Sequence, residues 1–346
     1  MKNKLTRLFL LLIIPVSLNY NAHGQNSEEW YIYTPDKLNL YINEFGKGDT
    51  VIVLHGGFGA EHSYMIDAVK PLQDKFHFVM FDQRGSLRSP APDSLLSFEK
   101  MLADIETIRL ALKLEKVTLV AHSMGTTIAM AYAEKYPMKV KNLVLLSSFL
   151  PISTNSELRN FATYYLENRA EVKLERLKVN FPQEKKDWPA KLYTYSWRIS
   201  FASTDIYSVN KWRDIKGGVA FFNQHAANIV FPTAPVEWDY TTTLKQHKFP
   251  VTVINGDYDY LNFTAKKYEE LLSFYALKKA TTVNAILKEK GQTLSEFIKQ
   301  IHWQDFEKEL PTLNVYIIKN AGHRIWMDNA GTFKTILSKS ISRKQL

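Results

Sequence analysis

The chain has 346 residues, 45% of them hydrophobic, a net charge of +9 and no cysteine. That length allows one large domain with a smaller insertion. The missing thiols exclude disulfides, thiolate metal sites and a cysteine nucleophile. The basic residues are interleaved with acidic ones, the pattern of a solvated surface rather than of a nucleic-acid-binding stripe, so no nucleic-acid partner is expected.

Residues 1–24 read as a segment outside the fold. Lys2, Lys4 and Arg7 form a basic start, Leu8 to Leu18 is apolar apart from Pro15, and Ala22-His23-Gly24 precedes Gln25 as a small-residue cleavage site. The apolar stretch is short for a membrane span. A signal peptide cleaved before Gln25 is expected. It implies an exported protein, periplasmic or secreted, with no stable membrane span after cleavage.

Tyr31-Ile32-Tyr33 and Leu38 to Ile42 are predicted to pair as an antiparallel edge. Strands then alternate with helices to about Ser147, which predicts a mostly parallel sheet with helices on both faces. Val51 to Leu54 is a strand, followed by the glycine-rich loop His55-Gly56-Gly57-Phe58-Gly59. This loop lacks the lysine of a phosphate-binding G-x-x-x-x-G-K-[ST]. Phe76 to Met80 is a strand leading into Phe81-Asp82-Gln83-Arg84-Gly85-Ser86, and Glu99 to Leu112 is an amphipathic helix with Met101, Ile105, Ile108 and Leu112 on one face.

The strand Val117 to Val120 runs into Ala121-His122-Ser123-Met124-Gly125, and a helical pattern spans Thr126 to Tyr136. A serine on a sharp strand-to-helix turn is a nucleophile elbow, and the crowded turn requires small residues such as Ala121 and Gly125. Val140 to Leu146 is the next strand.

Composition shifts near Leu150. Residues 150–245 are helical and aromatic-rich, with Trp188, Trp197, Trp212 and Trp238, and read as a cap inserted into a core of residues 25–149 and 246–346. Its aromatics either pack within the cap or line a pocket for a bulky or cyclic substrate group.

Pro250 to Ile254 is a strand leading to Asn255-Gly256-Asp257-Tyr258-Asp259, and Leu313 to Ile318 leads to Asn320-Ala321-Gly322-His323. The order serine, acid, histidine suits an elbow serine. Position selects His323 among nine histidines. Of the two aspartates, Asp259 has the G-x-x-D spacing from Gly256, and Asp257 reads as a turn residue. In this constellation Ser123 attacks, His323 takes its proton, and Asp259 orients the imidazole. Gly57, with Phe58 as the alternative, and Met124 are the expected backbone donors to an oxyanion. No metal-ligand spacing such as H-x-x-E-H occurs, and no cofactor or metal is expected. Residues 276–311 form a helical insertion, with helices predicted over Ala285 to Gly291 and Leu294 to Leu310, as a surface hairpin or a second lid element.

The segments Asp104 to Gly125, Ala131 to Pro137 and Val140 to Leu146 resemble the core of the α/β-hydrolase superfamily, and the resemblance covers about residues 38–150 and 245–340. His55-Gly56-Gly57-Phe58-Gly59 resembles the HGGPG loop of the proline iminopeptidases, a family of serine aminopeptidases. Phe81 to Ser86 resembles their DQRG segment. The resemblance implies an α/β-hydrolase fold with a helical cap, and cleavage of a small ester or amide through an acyl-enzyme. The substrate would be a small molecule or a short peptide. It also implies that Asp82 and Arg84 pair to brace the loop containing His55 and Gly56.

The chain departs from the family at several places. It reads AHSMGT where the family reads GGSWGS, and Leu87 replaces a glycine after the DQRG segment. The family's cap glutamates, which hold a substrate ammonium, are missing from Tyr195 to Phe201 and from Ala220 to His225, leaving Glu237 or Asp239 as substitutes. A carboxylesterase of the same fold is therefore the alternative. A non-catalytic ligand-binding protein on this scaffold is the alternative from another class.

Overall fold

The computed structural model describes residues 27–153, 157–180, 189–216, 221–263, 288, 291, 293, 296 and 302–344. The strands are β1 (Glu28–Tyr33), β2 (Asn39–Gly46), β3 (Asp49–Leu54), β4 (Phe76–Phe81), β5 (Val117–His122), β6 (Val140–Leu146), β7 (Val251–Gly256) and β8 (Leu313–Ile318). They form one sheet in the order β1-β2-β4-β3-β5-β6-β7-β8. The pairs β1/β2 and β2/β4 are antiparallel and the rest are parallel, as the alternation of strands and helices predicted.

The helices are α1 (Ile66–Val69), α2 (Phe98–Ala111), α3 (Met124–Lys135), α4 (Glu157–Glu167), α5 (Ala170–Asn180), α6 (Pro189–Asp205), α7 (Gln224–Val230), α8 (Thr241–Gln246), α9 (Ile325–Asp328) and α10 (Ala330–Ile341). The central strands are apolar on both faces because both are covered. Ile52 and Leu54 of β3 face α2 and α3, whereas Val51 and Val53 face α1 and α10. Helix α2 starts one residue before the prediction because the Ser97 side chain accepts from the Lys100 amide and caps it. Met101, Ile105 and Ile108 form its buried face.

Chain order reverses between β3 and β5. The chain therefore leaves β3 toward α1 on one face and β5 toward α3 on the other, and this switch point lies at the carboxyl end of the sheet. Between β6 and β7 the described residues hold helices α4 to α8 and no strand beyond an isolated bridge, Ile152 to Asp239. Helices α5 and α6 share a small core with the 3-10 turn Val209–Asp214, built on Val172, Ile199 and Trp212. Arg324 joins this segment to the sheet through Asp205, at 2.8 Å.

The predicted signal peptide, Trp188 and most of residues 276–311 lie outside the described residues. The described end of the helix predicted over Leu294 to Leu310 is instead a 3-10 turn, Trp303–Phe306, whose Trp303 and Phe306 are buried in the core. No helix among the described residues is long and apolar enough to cross a membrane.

Asp82 and Arg84 do not pair as the resemblance implied. They sit two positions apart beyond the end of β4, and their side chains go to different partners. Arg84 Nε donates to Asp104 at 2.8 Å and its Nη1 to Asp36 at 2.9 Å and to the Leu95 carbonyl. Arg84 and Asp104 are both 1% exposed, so the Asp104 charge depends on Arg84 for compensation, while Arg84 has Asp36 as a second partner. Removing one partner of a buried pair costs about 3–5 kcal/mol, whereas replacing both with apolar groups is often nearly neutral. Arg84→Met should destabilise by about that amount in urea denaturation, and adding Asp104→Leu should recover much of the loss.

Candidate active site

Ser123 sits between β5 and α3 with φ 53° and ψ −126°, a conformation that costs a non-glycine residue about 1–3 kcal/mol and persists only where its surroundings enforce it. The surroundings are tight. A Cβ on Gly125 would lie 2.6 Å from the His55 carbonyl oxygen, and one on Gly56 would lie 2.6 Å from Ser123 Cβ. The elbow and the loop after β3 thus touch at a separation that glycine alone permits. Ala121 is fully buried beside Leu54 of β3, where a larger side chain has no room.

The loops after β7 and β8 bring Asp259 to His323. Nδ1 of His323 is 2.9 Å from Asp259 Oδ1, with both residues buried. Asp259 also accepts from the Leu261 amide at 3.0 Å. Burial alone would lower the imidazole's pKa, but the charge and hydrogen bond of Asp259 raise it above the ordinary value. Burial opposes the Asp259 charge too, and His323 with the Leu261 amide holds that carboxyl below its ordinary range. Asp257 is elsewhere, accepting from the Ala321 amide at 3.3 Å and lying 3.7 Å from Lys319.

A second set of groups holds these parts together and had no signature in the sequence. The Gly56 amide donates to the Tyr64 hydroxyl at 2.6 Å, and that hydroxyl lies 2.8 Å from Nδ1 of His122. Nε2 of His122 is 3.0 Å from the His323 carbonyl. A carbonyl only accepts, so Nε2 carries the hydrogen. The neutral ring then accepts at Nδ1 from the Tyr64 hydroxyl. Burial, helped by His323, drives the His122 pKa well below its ordinary value and keeps the ring neutral. One chain of hydrogen bonds therefore joins the glycine loop, the elbow and the loop bearing His323. His122 is inside the elbow motif, but Tyr64 is 58 positions from it, so only the fold reveals the pairing.

The two glycine-containing loops do face each other, through Gln83 rather than Arg84. The Gln83 amide donates to His55 Nε2 at 3.1 Å, and its side chain donates to the His55 carbonyl at 2.8 Å. Asp82 accepts from the amide of His62 at 3.0 Å and lies 2.6 Å from Nδ1 of the same residue. Asn223, before α7, donates its backbone N–H to the Gly59 carbonyl and its side-chain N–H to the Gly85 carbonyl, both at 2.8 Å. Phe58 points away, buried against Phe98 and Phe231. Glu61, His62 and Asp82 are near enough to share a metal ion. However, Arg88 Nη1 already lies 3.3 Å from Glu61 and 3.4 Å from Asp82 and supplies the positive charge there.

Two cavities meet at Ser123. The first, about 230 Å³, is bordered by Gly56, Gly57, Met124 and His323 and carries the charged groups Glu61, Asp205, Lys216 and Arg324 beside the aromatic side chains of Trp197, Phe201, Phe221 and Phe222. The second, about 500 Å³, is walled chiefly by Phe98, Phe149, Phe231, Trp238 and Tyr240. Ser123, Met124 and Tyr260 border both. Glu237 and Asp239, the expected substitutes for the cap glutamates, are exposed and border neither cavity. Asp239 instead accepts from the Thr241 amide at 2.9 Å. The carboxylates of the first cavity come from Glu61 and Asp205, which motif comparison missed.

An eight-stranded sheet with an elbow serine and a buried acid–histidine pair at its carboxyl end defines an α/β hydrolase fold. The profile of that family, the α/β hydrolase fold, matches residues 49–330, and the chain belongs to it. Within the family its similarities run to proline iminopeptidases. One from Xylella fastidiosa is 33% identical over 129 residues, 36% of this chain and 40% of that protein. Another, from Flavobacterium johnsoniae, is 26% identical over 258 residues, 70% of this chain and 85% of that protein. The chain spans about 40% of the length of the first curated relatives it matches. The solved proline iminopeptidase-related protein of Thermus thermophilus has a TM-score of 0.56 at 19% identity, covering 92% of this chain and 98% of that one. An esterase from Exiguobacterium antarcticum has a TM-score of 0.57 at 16% identity, covering 91% and 100%. At these identities the structural likeness shows the shared fold.

Tyr64→Phe removes the hydroxyl and strands the Gly56 amide and His122 Nδ1. Thermal unfolding should show a loss of about 1–3 kcal/mol. A stability equal to that of the unmodified protein would mean that the hydrogen-bond chain contributes nothing.

Proposed function

We propose that this protein is a serine hydrolase that cleaves a small ester or amide through an acyl-enzyme on Ser123. The observation that carries this reading is the buried His323–Asp259 pair, at 2.9 Å, whose His323 borders the same cavity as the elbow serine. His323 Nδ1 is committed to Asp259, which leaves Nε2 as the base. The serine oxygen bonds to the carbonyl carbon as its proton passes to Nε2, and the leaving group then departs with that proton. Water repeats the sequence and frees the acid. The amides of Gly57 and Met124 stabilise the oxyanion. The Gly56 amide is spent on Tyr64, and Gly57 is the next donor along the loop.

Within this reading the relatives favour an aminopeptidase resembling the proline iminopeptidases, acting on short peptides. One observation favours an esterase instead. Each carboxylate of the first cavity already has an arginine partner: Glu61 pairs with Arg88 at 3.3 Å and Asp205 with Arg324 at 2.8 Å. A substrate ammonium entering the cavity would compete with those arginines, and burying it unpaired is costly.

Hydrolysis of a proline arylamide and of a short-chain p-nitrophenyl ester by the full chain distinguishes the two. Ser123→Ala should abolish either activity. Arylamide turnover supports the aminopeptidase, and ester turnover alone supports the esterase. Turnover that survives in Ser123→Ala would refute the acyl-enzyme.

The pH profile tests the base. Protonated His323 cannot accept the serine proton, so kcat/KM should fall tenfold per unit as pH drops below a pKa raised above the ordinary histidine value. Asp259→Asn removes the charge that raises this pKa. The midpoint should move to lower pH and kcat should fall by about 10⁴. An unchanged midpoint would show that Asp259 does not act on the base.

A further inference from the structure

The larger cavity has no role in the chemistry described so far, yet it opens on the nucleophile. Its wall is aromatic and aliphatic, and its far end reaches solvent at Phe231 and Val236, which are 57% and 88% exposed. Apolar side chains exposed at the mouth of an apolar chamber are what a site for an extended apolar group needs. At about 500 Å³ it is roughly twice the size of the charged cavity.

The position of His323 decides which half of a substrate goes where. The leaving group takes its proton from this imidazole, so it must sit beside it. His323 borders the charged cavity and not the apolar chamber. Tyr260 stacks against His323, with ring centroids 4.8 Å apart, and stands between the two spaces. A carbonyl carbon at Ser123 with its leaving group toward His323 has its acyl substituent directed past Met124 and Tyr260.

We propose that the apolar chamber is the acyl site, and that the substrates are esters or amides of a bulky or long-chain apolar carboxylic acid. Their polar leaving group lies in the charged cavity. The assignment rests on the serine-hydrolase reading, which places the reacting carbon at Ser123. Attack joins the serine oxygen to the acyl carbon and breaks its bond to the leaving group, which departs with the His323 proton. Hydrolysis then releases the apolar acid.

Ala234 borders the chamber on a surface loop with extended backbone, φ −75° and ψ 148°, so a tryptophan there fills space without backbone strain. Val236→Asp places a charge at the exposed mouth, where folding is indifferent to it. The ratio of kcat/KM for p-nitrophenyl octanoate over p-nitrophenyl acetate is the readout. It should be at least about 100 in the unmodified protein, a factor that two of the six added methylenes supply at about tenfold each. It should fall by at least about tenfold in Ala234→Trp and by a smaller factor in Val236→Asp. A ratio near one in the unmodified protein, or one that neither variant changes, overturns the proposal. So does an Ala234→Trp variant that alters only the preference between p-nitrophenyl and methyl octanoate, which would place the leaving group in the chamber. If neither ester nor arylamide is turned over, calorimetric titration of Ser123→Ala with octanoic acid separates the two ideas. Saturable binding that Ala234→Trp abolishes supports the chamber although the hydrolase reading has failed. No binding overturns the chamber.

Discussion

The backbone of the loop after β3 rests against the nucleophile elbow, and the rest of the site depends on that contact. Gly56 approaches Ser123 and Gly125 approaches the His55 carbonyl at distances where a methyl group would overlap by several tenths of an ångström. The contact confines Ser123 to its uncommon backbone conformation and sets the distance between the serine and the amides of Gly57 and Met124. It is possible because β3 and β5 are parallel neighbours at the point where strand order reverses, so the two loops leave the sheet side by side. Gln83 and Asn223 then close the loop from the other side, each through a pair of hydrogen bonds.

Two histidines with opposite electrostatics lie against each other in this frame, with ring centroids 4.7 Å apart. His323 has a buried carboxylate on Nδ1, which favours its protonated form. His122 is buried with a phenol and a carbonyl as partners and no carboxylate, and burial favours its neutral form. A permanently neutral neighbour lets His323 gain and lose a proton without competition from a second charge. The same ring acts as a rigid spacer, because both of its nitrogens are occupied and its tautomer is determined by the partners.

The charged cavity shows how a binding site changes character while the fold persists. Its carboxylates, Glu61 and Asp205, come from the loop after β3 and from the end of α6, and each is neutralised by an arginine. Arg324 directly follows His323, so the pair that neutralises Asp205 also ties the helical segment to the loop carrying the base. The lining of the charged cavity and the placement of His323 therefore share one ion pair. The second cavity, which Tyr260 also borders, is lined by no charged side chain and is free of that constraint.

The elbow serine, the histidine and the mostly parallel sheet were legible in the sequence because each is a local pattern: apolar strands ending in small-residue turns, with Ser123 and His323 at the turns. The acid was legible through spacing to Gly256, although two aspartates competed until the fold placed Asp259 rather than Asp257 against His323. The partner of Arg84 was not legible. A resemblance joined it to Asp82, but a side chain leaving the end of β4 reaches α2 and the turn after β1, and their positions follow from packing. Tyr64, Glu61 and Asp205 had no local pattern at all, because a single polar residue carries no periodicity. The sequence by itself thus determined the order of elements and the candidate site's serine and histidine, since those depend on hydrophobic periodicity and turn chemistry over a few residues. Tertiary structure alone decided which charges are neutralised and where the apolar space lies. Both depend on contacts between segments tens to hundreds of residues apart, whose distances are set by how the layers pack.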